Sequence, residues 1–107
     1  MSATFKRIRH LVATGSVRIS EHGYDELAAD GILIRDLIES VADGTVVEDY
    51  PQYPRRPCVL VLQSDRNGDP LHVLWGIPKG HSEPAVVVTA YRPDTDRWQD
   101  GFVRRRK

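Results

Sequence analysis

The stretch CVLVLQSDRNGDPLHVLWGI, residues 58–77, decides the fold. Two mostly apolar runs flank the short polar segment DRNGDP. Side chains on a strand alternate between faces, and β-branched residues suit a pleated, half-buried surface. Both runs therefore read as strands. Asn67-Gly68 supplies the positive backbone φ angles that a tight hairpin needs, so the two runs pair antiparallel. Outward from the hairpin the two-residue period continues. TVVEDY, residues 45–50, is a strand closed by Pro51. AVVVTAY, residues 85–91, is a strand ended by Arg92-Pro93. YPRRP and PKGHSEP are the connections between them.

Before residue 45 the period is helical. TFKRIRHLVA, residues 4–13, spaces Phe5, Ile8, Leu11 and Val12 along one face, with Ser2 or Thr4 as N-cap and Gly15 as stop. VRIS, residues 17–20, is a short extended piece. Ser20 then caps a helix that Glu21 and Asp25 favour and Gly31 ends. ILIRDLIESVADG, residues 32–44, carries Ile34, Leu37, Ile38 and Val41 on one stripe and stops at Gly44. The expected fold class is α+β, with N-terminal helices on one face of a curved four-stranded antiparallel sheet. Length predicts a single domain over 1–107. Its tail, DTDRWQDGFVRRRK, is a short helix or an extended arm anchored by Trp98 and Phe102, and is basic from about residue 99.

Composition is that of an ordinary globular chain, 40% hydrophobic and 28% charged. No apolar run reaches the length of about 18 residues that a membrane-spanning helix needs. The start, MSATFKRIRHLVATG, lacks the apolar core of a signal peptide. Cys58 has no second cysteine to pair with. A reducing cytoplasm is the expected location. The net charge is zero but unevenly spread. Residues 1–20 carry Lys6, Arg7, Arg9 and Arg18 and no acid, residues 21–50 carry nine acids against Arg35, and Arg55 and Arg56 follow. The chain ends in RRRK. A basic face that holds phosphates, with acid on the far side, fits this pattern; so does a solvated surface. No His-x-x-x-His and no cysteine pair is present, so no metal or cofactor is expected.

Strict alternation puts Leu71, Val73 and Trp75 on one face of their strand and His72, Leu74 and Gly76 on the other. In the last strand it groups Ala85, Val87, Thr89 and Tyr91 against Val86, Val88 and Ala90. His72, Thr89, Tyr91 and Glu48 are then candidates for one sheet face turned away from the helices. Buried without partners, such a set would be costly, so the face is read as a site.

Four segments in this order, ISEHGYDEL, Gly44 to Tyr50, GDPLHVLWGIP and VVVTAYRPDTDRW, resemble the domain of unknown function 4258 family over residues 17–102. The family itself resembles the barnase/RelE-like group of small ribonuclease toxins. That resemblance implies a metal-independent ribonuclease acting on RNA, with a cognate antitoxin as protein partner. His22 and His72 match the family's two histidines, Thr89 and Tyr91 its TAY strand, and Trp98 its trailing tryptophan. Glu26 and Asp30 stand where many relatives carry arginines, so Arg18, Lys79, Arg92 and the tail arginines are the substitute cations.

Such a cleavage uses the neighbouring 2′-hydroxyl as nucleophile and needs a base, an acid and cations. The expected proton carriers are His72 and His22, with Tyr91 as donor. Arg18, Lys79, Thr89 and Arg92 are the expected phosphate and substrate contacts. The alternative is a non-catalytic RNA- or protein-binding module that stacks its ligand on Tyr50, Tyr53, Trp75 or Tyr91. A third reading is a structural protein that pairs as a homodimer through an edge strand.

Overall fold

Ser2 opens the first helix by accepting the Phe5 N–H at 3.0 Å, and α1 runs Ala3–Ala13. The computed structural model describes residues 2–53 and 56–106. Pro54 and Arg55 of the YPRRP loop, and Lys107 of the basic tail, lie outside the described residues. Strand β1, Val17–Ile19, follows α1, and Ser20 caps α2, Glu21–Asp30, by accepting the Gly23 N–H at 2.9 Å. Gly31 ends α2 in the left-handed region at φ 63°. Helix α3, Ile34–Ser40, tightens into a 3₁₀ turn over Val41–Asp43, which Gly44 ends. Leu37 and Val41 of the predicted stripe are buried, whereas Ile38 is exposed at its margin.

Strands β2 (Thr45–Tyr50), β3 (Cys58–Ser64), β4 (Pro70–Gly76) and β5 (Ala85–Tyr91) form the predicted antiparallel meander. The sheet is nevertheless not four-stranded and antiparallel. The extended piece at residue 17 adds a fifth strand, parallel to β5, and the order is β1-β5-β4-β3-β2. Between β3 and β4 the turn uses a positive φ at Gly68 alone, while the Asp65 carboxylate accepts the N–H groups of Asn67 and Asp69.

The helices cover one sheet face. Phe5, Ile8, Leu11, Leu27 and Leu37 pack there against Val59, Val61, Val73, Trp75 and Val87 in one core. Two β-bulges decide what reaches the other face. Val47 is the extra residue of β2, because Val46 pairs with Val61 and Glu48 with Leu60. Val88 is the extra residue of β5, because Val87 pairs with Trp75 and Thr89 with Leu74. An extra residue switches every later side chain to the opposite face. The strict grouping of Thr89 and Tyr91 with Ala85 and Val87 therefore fails at Val88, and Ala90 joins the core. Glu48, His72, Thr89 and Tyr91 come together on the face away from the helices.

The tail is neither a helix nor a free arm. Trp98–Gln99 (β6) and Arg104–Arg105 (β7) form a small antiparallel hairpin. Its turn holds three consecutive residues at positive φ, Asp100, Gly101 and Phe102.

Candidate functional site

The open face of the sheet has two halves. The C-terminal hairpin closes the half that carries His72, and this residue has no solvent exposure. The His72 Nε2 lies 2.7 Å from the Phe102 carbonyl oxygen. A carbonyl only accepts, so Nε2 carries the proton and Nδ1 accepts from the Tyr91 hydroxyl at 3.1 Å. Trp98 stands edge-on to the His72 ring, with centroids 4.3 Å apart. Arg105 lies over the Trp98 ring at 4.7 Å and clamps Glu48 with two bonds of 2.6 and 2.9 Å. Glu48 also accepts the Tyr50 hydroxyl at 2.6 Å.

Electrostatics follow from this packing. Burial pushes the His72 pKa down, against the opposing pull of the Phe102 carbonyl. Burial also raises the Tyr91 phenol. The Arg105 hydrogen bonds lower the Glu48 carboxyl, and Glu48 in turn raises the Tyr50 phenol. His72 is thus a neutral, fully satisfied imidazole under a lid of Trp98, and its expected role in proton transfer to a ligand has no geometric basis. His22 sits on the exposed side of α2, 67% accessible and 3.7 Å from Glu26. One histidine is enclosed and the other open to water, so the expected pair does not converge.

Other expected site residues divide in the same way. The Arg92 guanidinium bonds Asp65 at 2.9 Å and the Asp30 carbonyl, and its N–H donates to the Asp30 carboxylate. That cation is matched, and Asp30 serves to tie α2 to the end of β5. Thr89 stands opposite Leu74 on the open face, half-buried. Trp75 is in the core, its indole N–H donating to Gln63 at 2.7 Å, and offers no stacking surface.

Arg18 and Lys79 do converge. The parallel pairing of β1 puts Arg18 beside Val86, and the register continues through Gly76 and Cys58 to Tyr50. This row crosses the uncovered half of the face. Arg18, Ser20, Glu21, Arg56, Pro78, Lys79 and Val86 line a cleft of about 480 Å³ at its β1 end. Toward β2 lies a second cavity of about 230 Å³, walled by Tyr50, Tyr53, Arg56, Cys58, Leu74 and Val88. Arg56 belongs to both. Its stem lies flat on Gly76, where a Cβ would sit 2.7 Å from the Arg56 Cδ. The sequence distinguishes Arg56 only as one of two cations between prolines, just before a strand whose partner carries Gly76. None of the ion pairs among the described residues involves Arg18, Arg56 or Lys79. No cluster of three or more metal-ligating side chains occurs among the described residues.

Fold and site together define a small α+β protein whose sheet keeps half of one face open beneath a cationic cleft. The family described as Domain of unknown function (DUF4258) matches residues 19–92, and the chain belongs to that family. The match is shorter than the motif span of 17–102, and Trp98 and the hairpin that encloses His72 lie beyond it. No curated protein and no solved structure matches the chain. No helix among the described residues is long and apolar enough to cross a membrane.

Proposed function

We propose that the open half of the sheet binds single-stranded RNA without cleaving it. The observation that carries this reading is the cleft of Arg18, Arg56 and Lys79, three cations from separate segments with Glu21 as the acid among them. Cations that track a phosphate backbone beside aromatic rings are the general device for holding single strands. A non-catalytic role is supported by His72, both of whose nitrogens are bonded inside the protein. Helices that precede an antiparallel meander support a place among the barnase/RelE-like folds, and a curved sheet belongs to the same proposal. That grouping is an analogy of fold and carries no activity by itself.

The test is fluorescence anisotropy with a labelled ten-nucleotide RNA over a range of salt. Three phosphate contacts predict a log–log salt slope of roughly −2, and each of Arg18→Ala, Arg56→Ala and Lys79→Ala reduces it by about 0.7. Binding indifferent to all three substitutions overturns the assignment. Cutting of the RNA in EDTA that disappears in His72→Ala overturns the non-catalytic part.

A further inference from the structure

We infer that the cavity between Tyr50 and Tyr53 takes one unpaired nucleobase of the strand whose phosphates sit on Arg18 and Lys79. The inference rests on the RNA reading and adds the part of the ligand that is recognised. Leu74, Val88 and Cys58 give the cavity an apolar floor, and the two tyrosine rings stand beside it, 41% and 49% exposed. The Tyr50 ring is fixed before any ligand arrives, because its hydroxyl is bonded to Glu48, which Arg105 holds. About 230 Å³ is below the range of roughly 300–1,000 Å³ typical of whole drug-sized ligands, and suits one flat ring system.

Arg56 selects the occupant. It lines the apolar cavity and the cationic cleft at once, so a ring in the first has an anion-binding group at its open side. A flat ring with an anion attached, continuing along a row of further cations, is the chemistry of a nucleotide within a strand. The floor of the cavity is the sheet itself. A base reaches it only when splayed out of a stack, and a paired base within a duplex does not.

The experiment compares three ligands of the same length: a ten-nucleotide RNA, an abasic ribose-phosphate ten-mer, and an RNA duplex. Free AMP and UMP serve as competitors. Stacking of one base on aromatic side chains predicts that the single strand binds roughly 5- to 150-fold more tightly than the abasic chain. Tyr53→Ala brings the RNA down to the abasic value, and Tyr53→Phe keeps the difference. If RNA and abasic chain bind equally with the salt slope intact, the base cavity is wrong and the phosphate cleft stands. If neither binds, both readings fail. A duplex that matches the single strand overturns the splayed base. A mononucleotide that competes as well as the strand overturns the strand as ligand.

Discussion

The imidazole of His72 donates from Nε2 to the backbone carbonyl of Phe102, 2.7 Å away, across 30 positions of sequence. Phe102 makes this contact from a left-handed conformation, φ 71°, that bulky residues seldom adopt. A tight turn thus aims a carbonyl at a buried ring nitrogen, and the hairpin becomes the roof of half the sheet. The histidine that looked like a catalytic group is the post on which that roof rests.

Stability will depend on pH through this post. Burial holds the His72 pKa below its ordinary 6.5, so the unfolded chain binds its proton more readily than the folded one. Between the folded value and 6.5, stability therefore rises with pH, and it is full above 6.5. Glu48 is held below its ordinary 4.5 by its bonds to Arg105, so its contribution falls away below this range rather than across it. Urea unfolding at pH 7.5, 6.5 and 5 is expected to show a decline below 6.5 that His72→Gln removes. A wild-type midpoint that stays level over this range would contradict the neutral, enclosed imidazole.

The two residues that cover His72 are expected to differ sharply in weight. Trp98 is 4% exposed and packs its ring against the imidazole, so Trp98→Ala removes a large buried group at about 3–5 kcal/mol. Arg105 reaches Glu48 in good geometry but is 61% exposed, and an exposed pair contributes at most about 1 kcal/mol, less in salt. Denaturant midpoints for the two variants, at low and high salt, separate these effects. Equal losses would mean that the ion pair holds the hairpin down as firmly as the indole does.

Gln63 links the core to α3. Its carbonyl accepts the Trp75 indole N–H at 2.7 Å, and its amide donates to the Leu37 carbonyl at 2.8 Å and the Ser40 hydroxyl at 2.9 Å. Gln63→Leu keeps the volume and strands the indole donor in a dry core, at roughly 1–3 kcal/mol. Gln63→Glu keeps the acceptor and loses the donor amide. Its denaturation midpoint near pH 7 is expected to fall too, because a carboxylate would meet two acceptor oxygens. A Gln63→Leu midpoint equal to wild type would show that water reaches the indole.

The meander was legible because its turns and its β-branched runs sit where strand physics puts them: Pro51, Gly68 and Pro93 bound Val-rich segments of strand length. The fifth strand was not, because three residues, Val17 to Ile19, carry too little pattern to choose a partner or a direction. The bulges were invisible for a related reason. In VVV and TVV either face accepts any of the valines, so nothing in the run marks the extra residue. Of the site, Arg18 and Lys79 were readable as cations, but their meeting depends on the β1–β5 pairing. The burial of His72 depends on a hairpin whose turn uses Asp100 and Phe102 at positive φ, where sequence rules look for glycine.

Two glycines with equally short clearances should respond in opposite ways. At Gly23 a new Cβ would sit 2.7 Å from the Val87 backbone oxygen, in the strand that α2 packs on. That oxygen already accepts the Ser20 N–H at 3.0 Å and cannot retreat. Gly23→Ala must push α2 off β5, and the strain of roughly 1–3 kcal/mol outweighs alanine's helix preference of about 1 kcal/mol. At Gly76 the nearest atom, also at 2.7 Å, is the Cδ of Arg56, a side chain that can lift. Gly76 is buried beneath that stem, and because the stem can give way, Gly76→Ala is expected to cost no more than about 1 kcal/mol and to displace the guanidinium from the two cavities it joins. Its RNA affinity then falls to that of Arg56→Ala. Urea midpoints and anisotropy on the same two proteins read both effects. If Gly76→Ala binds RNA as wild type does, Arg56 is not held in place by the glycine beneath it.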